Sequence, residues 1–74
     1  MTEGEYRVGI KFNPSASGAV HDIKTRAAEL IDLLAPLAAD REHPGSRCAA
    51  IATDHIEIAA MWGVKAVTKP ARET

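Results

Sequence analysis

The feature that most limits how this chain can fold is a long stretch, from about residue 46 to residue 67 or 69, that contains no proline and one glycine, Gly63. A helix over this stretch would be a rod of roughly 35 Å. Its apolar residues fall on two separate surfaces when they are placed at about 100° per residue. The small-residue surface comprises Cys48, Ala52, Ile56, Ala59, Gly63 and Ala66, and the Trp62 surface comprises Ile51, Ile58, Met61 and Trp62.

A single neighbouring helix can cover only one of these two surfaces. We expect the small-residue surface to pack against a second helix of the same chain, because small side chains allow close approach. Large apolar patches are rarely left exposed to water. The Trp62 surface is therefore predicted to bind another subunit.

The first helix in chain order is predicted from about residue 19 to residue 34 or a little beyond. Its apolar residues recur at steps of three and four, namely Val20, Ile23, Ala27, Leu30, Ile31, Leu34 and Leu37. Asp22 stands four residues before Arg26 and can form an ion pair with it. Pro36 lacks an N–H group, so it predicts that this helix ends or kinks just before it. Residues 38–46 are then the predicted hairpin loop.

The N-terminal segment is predicted to be non-helical. Residues 1–7 are polar and are expected to be frayed, and residues 8–12 alternate between apolar and polar, which favours an extended arm or a short strand. A turn at Asn13-Pro14 follows, and Ser15 or Ser17 can cap the next helix. Residues 70–74 are also expected to be flexible. The sequence thus predicts one all-α domain over residues 1–74, an antiparallel two-helix hairpin with a short extended N-terminal arm, assembled into a homo-oligomer.

Length and cysteine content support the expectation of an oligomer. Chains as short as 74 residues usually need disulfides, a structural metal or oligomerisation for stability. Cys48 is the single cysteine, which excludes a disulfide within the chain, and without a signal-peptide pattern it predicts a reducing, cytoplasmic compartment. The three histidines share no zinc-ligand spacing. Oligomerisation is the remaining means of stabilisation.

Charge and hydropathy exclude two classes of partner. Nine basic residues stand against ten acidic ones, whereas general DNA- or RNA-binding proteins carry a strongly basic face. No apolar run approaches the roughly 20 residues of a membrane span. We therefore expect no DNA and no membrane partner, although a local basic pocket could still bind a small anionic ligand.

No catalytic pattern is present, so the chain is not expected to be an enzyme or to need a cofactor or metal. The sequence contains no P-loop, no glycine-rich dinucleotide loop and no recognisable nucleophile–base pair. Asp54, His55 and Glu57 are clustered and could act as acid and base. The plainer interpretation is favoured, with Asp54 and Glu57 facing solvent and His55 beside the helix–helix seam.

Two clusters could bind a ligand. Lys65 and Lys69 fall beside Trp62 near the end of the long helix, with the Thr68 hydroxyl close by, which could form a pocket for a phosphorylated base. Alternatively the lysines complement the helix dipole and Trp62 is an interface anchor. The residues alone favour these alternatives.

The second cluster is Phe12 with Lys24 and Arg26. Phe12 could stack on a base while the basic residues hold phosphate. Alternatively Phe12 fastens the arm to the hairpin and Arg26 pairs with Asp22, and the residues alone again favour the alternative.

Together these segments resemble a known family. Residues 11–14 (KFNP) lead into a helix that contains residues 23–30 (IKTRAAEL), and residues 56–67 (IEIAAMWGVKAV) follow the loop. They are similar to the phage-encoded hairpin proteins that sequester cyclic-nucleotide immune signals, the anti-CBASS and anti-Thoeris sponges. The most specific element is Glu57-x-Ala59-x-Met61-Trp62, followed here by Gly63 where alanine is usual. The resemblance spans about residues 8 to 69.

The resemblance implies a homo-oligomer, commonly a hexamer, in the cytoplasm of the infected bacterium. It would bind cyclic dinucleotides, cyclic trinucleotides or cyclic ADP-ribose variants without cleaving them. Phe12 with Lys24 or Arg26 matches one ligand site of the family, and Lys65, Thr68 and Lys69 match another. The competing interpretation is a small oligomeric phage structural or accessory interaction protein without a nucleotide ligand.

Overall fold

The computed structural model describes residues 1–72, and this part of the chain is helical with no strand. Its three helices are α1 (Glu3–Val8), α2 (Gly18–Ala39) and α3 (Ser46–Thr68). α2 and α3 form the predicted hairpin, and α1 packs mainly against α2. The all-α class is therefore confirmed, whereas the description of two helices with an extended arm omits α1.

The N-terminal segment forms a helix because both of its ends carry capping signals. The Thr2 hydroxyl accepts a hydrogen bond from the Glu5 N–H at 3.1 Å, and the Glu5 carboxylate accepts one from the Thr2 N–H at 2.8 Å. This reciprocal pair is a capping box. The helix ends at Gly9, whose φ of 64° lies in the left-handed region that glycine adopts without strain. The predicted frayed and extended arm is thus wrong, and residues 9–12 form a turn in which the Phe12 N–H donates to the Gly9 carbonyl at 2.9 Å.

The first helix of the hairpin, α2, does not end before Pro36 but continues through it to Ala39. Ser17 caps its start, as one of the two predicted serines, accepting a bond from the Val20 N–H at 3.3 Å. Pro36 lies within the last turn, where its missing N–H removes one backbone bond without requiring the chain to turn away. The helix closes at Asp40, whose N–H donates to the Pro36 carbonyl at 3.2 Å and the Leu37 carbonyl at 3.3 Å. The connecting loop is therefore residues 40–45 rather than 38–46.

The long helix α3 has the predicted length, but a different face meets α2. The buried residues of α3 are Ala49, Thr53 and Ala60, and those of α2 are Val20, Lys24, Ala28 and Ile31. Of the small-residue surface, Ala52, Ile56 and Gly63 are half-buried, whereas Cys48, Ala59 and Ala66 are exposed. The face of α3 that contacts α2 is thus rotated about the helix axis by about one residue from the predicted face. Leu30 of α2, predicted to face the seam, is also exposed.

Three smaller expectations concern the surface of the chain. The predicted ion pair between Asp22 and Arg26 is not among the ion pairs formed within residues 1–72, and both side chains are exposed. Of the predicted flexible segment 70–74, residues 73–74 lie outside the described residues and residues 70–72 follow the end of α3 without helical structure. Within residues 1–72, no helix has the length and apolar character needed to cross a membrane.

Candidate functional site

An open groove lies where the turn after α1 approaches the start of α2 and the end of α3. One lobe has a volume of about 480 Å³ and an adjoining lobe about 330 Å³. Phe12, Lys24 and Val64 line both lobes, which we call together the Phe12 groove. The remaining lining residues are Asn13, Pro14, Ser15, Val20 and Thr68 in the larger lobe, and Val8, Glu57, Ala60 and Met61 in the smaller one. Because the hairpin is antiparallel, residues far apart in sequence meet here.

Phe12 presents its aromatic ring to solvent at this groove. The side chain is 73% exposed, so it does not fasten the arm to the hairpin as the alternative interpretation required. The loop that follows is held by Asn13, whose amide donates to the Ser17 carbonyl at 2.8 Å and accepts from the Ser17 N–H at 3.0 Å. The ring is therefore displayed on an ordered loop and is available for stacking on a planar ligand.

Lys24 lies beneath Phe12 and is directed inward. Its side chain is buried although it is charged. The ammonium donates a hydrogen bond to the Gly9 carbonyl at 2.9 Å and another to the Phe12 carbonyl, and it lies 5.5 Å from the centroid of the Phe12 ring. The sequence had indicated Lys24 as one of two possible phosphate-binding residues without indicating its burial. The other, Arg26, is exposed and does not line the Phe12 groove.

The second predicted cluster is divided by the structure. The Lys65 ammonium lies 4.8 Å from the centroid of the exposed Trp62 ring, a cation–π contact. Lys69 caps the end of α3 and is exposed. Thr68 instead lines the Phe12 groove, and its hydroxyl donates to the Val64 carbonyl at 2.8 Å, which leaves the hydroxyl oxygen free to accept a bond. Thr68 thus lies close to the Phe12 cluster, although the sequence grouped it with the lysines.

The Trp62 surface is open in the single chain. Its four residues, Ile51, Ile58, Met61 and Trp62, are between 43% and 66% exposed. Ile51, Ile58 and Trp62 lie on the side of α3 away from the seam with α2, whereas Met61 also borders the smaller lobe of the Phe12 groove. A second exposed apolar group on α2 contains Leu30 and Leu33. The hairpin therefore leaves apolar side chains uncovered on both of its long helices.

The two acidic residues of the possible acid–base cluster, Asp54 and Glu57, form ion pairs with Arg7 of α1, which no pattern in the sequence indicates. Arg7 Nη2 lies 2.7 Å from Asp54 Oδ1, and Arg7 Nε lies 2.7 Å from Glu57 Oε1. The hydrogen bond to Glu57 raises the pKa of the Arg7 guanidinium above its ordinary value; partial burial opposes this rise and the bond to Asp54 adds to it. Asp54 and Glu57 therefore join α1 to α3, and His55 is exposed rather than packed beside the seam.

The described residues form a short capped helix docked on a long antiparallel helical hairpin, with a groove that Phe12 lines at one end. The family described as Acb2/Tad1, hairpin domain, matches residues 4–68. The chain therefore belongs to the Acb2/Tad1 hairpin family, the family of phage cyclic-nucleotide sponges of the anti-CBASS and anti-Thoeris type. Members of this family sequester their ligands rather than acting as enzymes. No curated protein and no solved structure gives a significant match to the chain.

Proposed function

We propose that this chain binds cyclic nucleotide immune signals in the infected bacterium and withholds them from their effector without cleaving them. The observation that carries the proposal is the exposed Phe12 ring at the mouth of a preformed groove, in a chain that belongs to the sponge family. Sequestration needs affinity and no chemistry. A protein that binds the messenger more tightly than the effector does keeps the free signal below its threshold.

The composition of the Phe12 groove supports a nucleotide as the ligand. Its volume lies in the range of about 300–1,000 Å³ that small-molecule pockets occupy. Phe12, Pro14 and Val64 supply apolar surface for a base. Asn13, Ser15 and Thr68 supply polar groups at the rim that can bond to ribose or phosphate oxygens. A small number of polar groups around an apolar pocket is the usual arrangement for binding an oriented ligand.

The lysines at the end of α3 support a second mode of binding in an oligomer. We propose that copies of the chain associate through the Trp62 surface, in the hexamer that the family resemblance implies. In a symmetric assembly each subunit contributes one Lys65 and one Lys69, so their copies can converge around an axis. Three converging cations would match the three phosphates of a cyclic trinucleotide. Binding of this kind would use Lys65 and Lys69, which are exposed and form no ion pair among the described residues.

A second candidate function is an oligomeric phage structural or accessory protein without a nucleotide ligand. The exposed Trp62 surface favours it as much as it favours a sponge, because both need self-association. The ordered display of Phe12 over a groove favours the sponge, since an assembly module gains nothing from it.

A thermal-shift screen separates the two functions. Cyclic di-AMP, cyclic tri-AMP and cyclic ADP-ribose are the probes, and linear AMP is the control. A ligand at a hundredfold its Kd should stabilise the folded protein by about 2.7 kcal/mol. If no cyclic probe raises the melting temperature, the proposed sequestration is contradicted and the structural or accessory role remains.

The same samples test whether the protein is an enzyme. After heat denaturation, chromatography should return the bound cyclic nucleotide unchanged. A linearised or hydrolysed product would show that the protein catalyses a reaction, and the proposal of simple sequestration would then be wrong.

A further inference from the structure

A second cavity lies at the opposite end of the hairpin from the Phe12 groove. It has a volume of about 450 Å³ and is formed where the end of α2, the connecting loop and the start of α3 meet. We call it the loop cavity; its polar lining comes from Arg41, His43, Ser46 and Arg47, and part of its apolar lining from Ala38 and Pro44. Ser46 here and Val64 in the Phe12 groove are separated by roughly 27 Å along α3. The loop cavity is therefore a site of its own.

The loop cavity carries two positive charges that the described chain does not neutralise. Both ion pairs within residues 1–72 belong to Arg7, so the exposed side chains of Arg41 and Arg47 form none. The acidic residues of the loop, Asp40 and Glu42, do not line the cavity. Asp40 Oδ1 instead accepts a hydrogen bond from the Glu42 N–H at 3.2 Å. The two guanidinium groups are thus available to an anion.

The wall of the loop cavity is ordered by its own hydrogen bonds. The Ser46 hydroxyl donates to the Ala38 carbonyl at 2.9 Å and so joins α3 to α2 across the loop. The His43 N–H donates to the Asp40 carbonyl at 2.9 Å, and the Gly45 N–H donates to His43 Nδ1 at 2.9 Å. Because Nδ1 accepts this bond, the proton of the neutral imidazole lies on Nε2, which is left as a donor. The cavity therefore has its shape before any ligand binds.

We propose that the loop cavity binds a dianionic phosphate group, from a phosphomonoester or from inorganic phosphate, through Arg41 and Arg47. A guanidinium group presents parallel N–H donors that match two phosphate oxygens. A phosphomonoester carries nearly two negative charges at pH 7, which two arginines balance, whereas a phosphodiester carries only one. The volume of the cavity lies within the range of about 300–1,000 Å³ that small-molecule pockets occupy. This site is independent of the proposed sequestration and favours linear nucleotides.

Calorimetry in phosphate-free buffer tests the site with inorganic phosphate, AMP and 3′,5′-cyclic AMP as probes. Phosphate and AMP should bind saturably, and cyclic AMP, which has a single phosphodiester, should bind about tenfold more weakly than AMP or worse. Arg41→Gln and Arg47→Gln should each weaken AMP binding by about tenfold or more, because each removes a charged hydrogen-bond donor. The matched control is Arg26→Gln, at an exposed arginine of α2 that does not line the loop cavity.

The three arginine variants lose the same charge, so their comparison separates a site from general attraction. Losses in the two loop variants, with full AMP binding in Arg26→Gln, support the site. Equal losses in all three variants overturn it, and so does the absence of saturable phosphate and AMP binding. Cyclic AMP that binds as tightly as AMP overturns the assignment to a dianion. Phe12→Ala should leave AMP binding unchanged, and a loss there would place AMP in the Phe12 groove and overturn the site as well.

The loop cavity also affects the control of the thermal-shift screen. Linear AMP should stabilise the wild-type protein through the loop cavity, and Arg47→Gln should remove that stabilisation. The stabilisation by cyclic di-AMP should be the same in Arg47→Gln as in the wild-type protein. Failure of the loop cavity and failure of the proposed sequestration are therefore observed with different ligands.

Discussion

Gly4 of α1 lies so close to the backbone of Ala28 in α2 that a side-chain carbon at Gly4 would overlap the Ala28 carbonyl group. The Gly4 N–H also donates to Asp32 Oδ1 at 2.7 Å. α1 is thus held on α2 by direct backbone contact and by one hydrogen bond to a partly buried carboxylate. The glycine at this position is required by space rather than by an unusual backbone angle.

Gly4→Ala should therefore push α1 away from α2. Overlap with backbone atoms cannot be relieved by a rotamer change, and overpacking of this kind costs about 1–3 kcal/mol. Chemical denaturation would measure the loss. Gly18→Ala is the control, because nothing lies within 4 Å of the added carbon there and α2 should be unaffected or slightly stabilised. Equal effects of the two substitutions would contradict the close contact.

Arg7→Gln should loosen α1 from α3. The substitution removes both ion pairs, to Asp54 and Glu57, and we expect a loss of about 1 kcal/mol, since the pairs are partly exposed and such pairs contribute little each. In a domain of this size the melting temperature should fall by roughly 4–8 °C per kcal/mol. The control Arg41→Gln changes an exposed arginine of the loop and should leave the melting temperature unchanged. A larger fall for Arg41→Gln would refute the role given to Arg7.

Trp62→Glu should dissociate the proposed oligomer. It places a carboxylate in the Trp62 surface, where burial of an unpaired charge at a subunit contact is costly. Light scattering of the wild-type protein should give several times 7.9 kDa, and the variant should give a smaller particle. Tyr6→Glu, at an aromatic residue of α1 that is 72% exposed, is the control. A stable folded wild-type monomer would rule out this interface.

The two ligand clusters should be separable by substitution. Lys69→Ala or Lys65→Ala should abolish binding of cyclic tri-AMP and leave cyclic di-AMP binding intact, and Phe12→Ala should do the reverse. Losing three symmetry-related bonds of about 1.5–3 kcal/mol each weakens binding by several orders of magnitude. Calorimetry measures both ligands. Thr68→Val should follow the pattern of Phe12→Ala, because Thr68 lines the Phe12 groove. Equal weakening of both ligands by every variant would show a single site.

The positions of the long helices α2 and α3 follow largely from local sequence. The differences at the end of α2 and at α1 also have local causes. α3 could be predicted because no proline interrupts it before Pro70. The proline signal places the end of α2 a few residues too early, because Pro36 falls in the last turn, where the missing N–H costs little. α1 was missed although Thr2 and Glu5 carry the spacing of a capping box. That pattern was sufficient to predict a helix start.

The orientation of α3 and the inward direction of Lys24 could not be predicted in the same way. In an alanine-rich helix, neighbouring faces carry side chains of similar small size. The sequence therefore gives little preference for which of these faces packs against α2. Contacts from distant residues fix the choice, including the bond between Arg7 and Glu57 across 50 positions. Lys24 has carbonyl partners only after α1 and α2 have packed and formed the turn. Its neighbours in sequence therefore could not reveal its burial.

Because Trp62 is the chain's single tryptophan and lies 64% exposed on an uncovered apolar face, its fluorescence can report on the proposed self-association. Indole emission moves to shorter wavelength when water is excluded from the ring. Dilution of the wild-type protein should therefore shift its emission to the red as subunits separate. The midpoint of that titration gives the association constant without any attached dye, and the same spectra would show whether a captured messenger tightens the assembly.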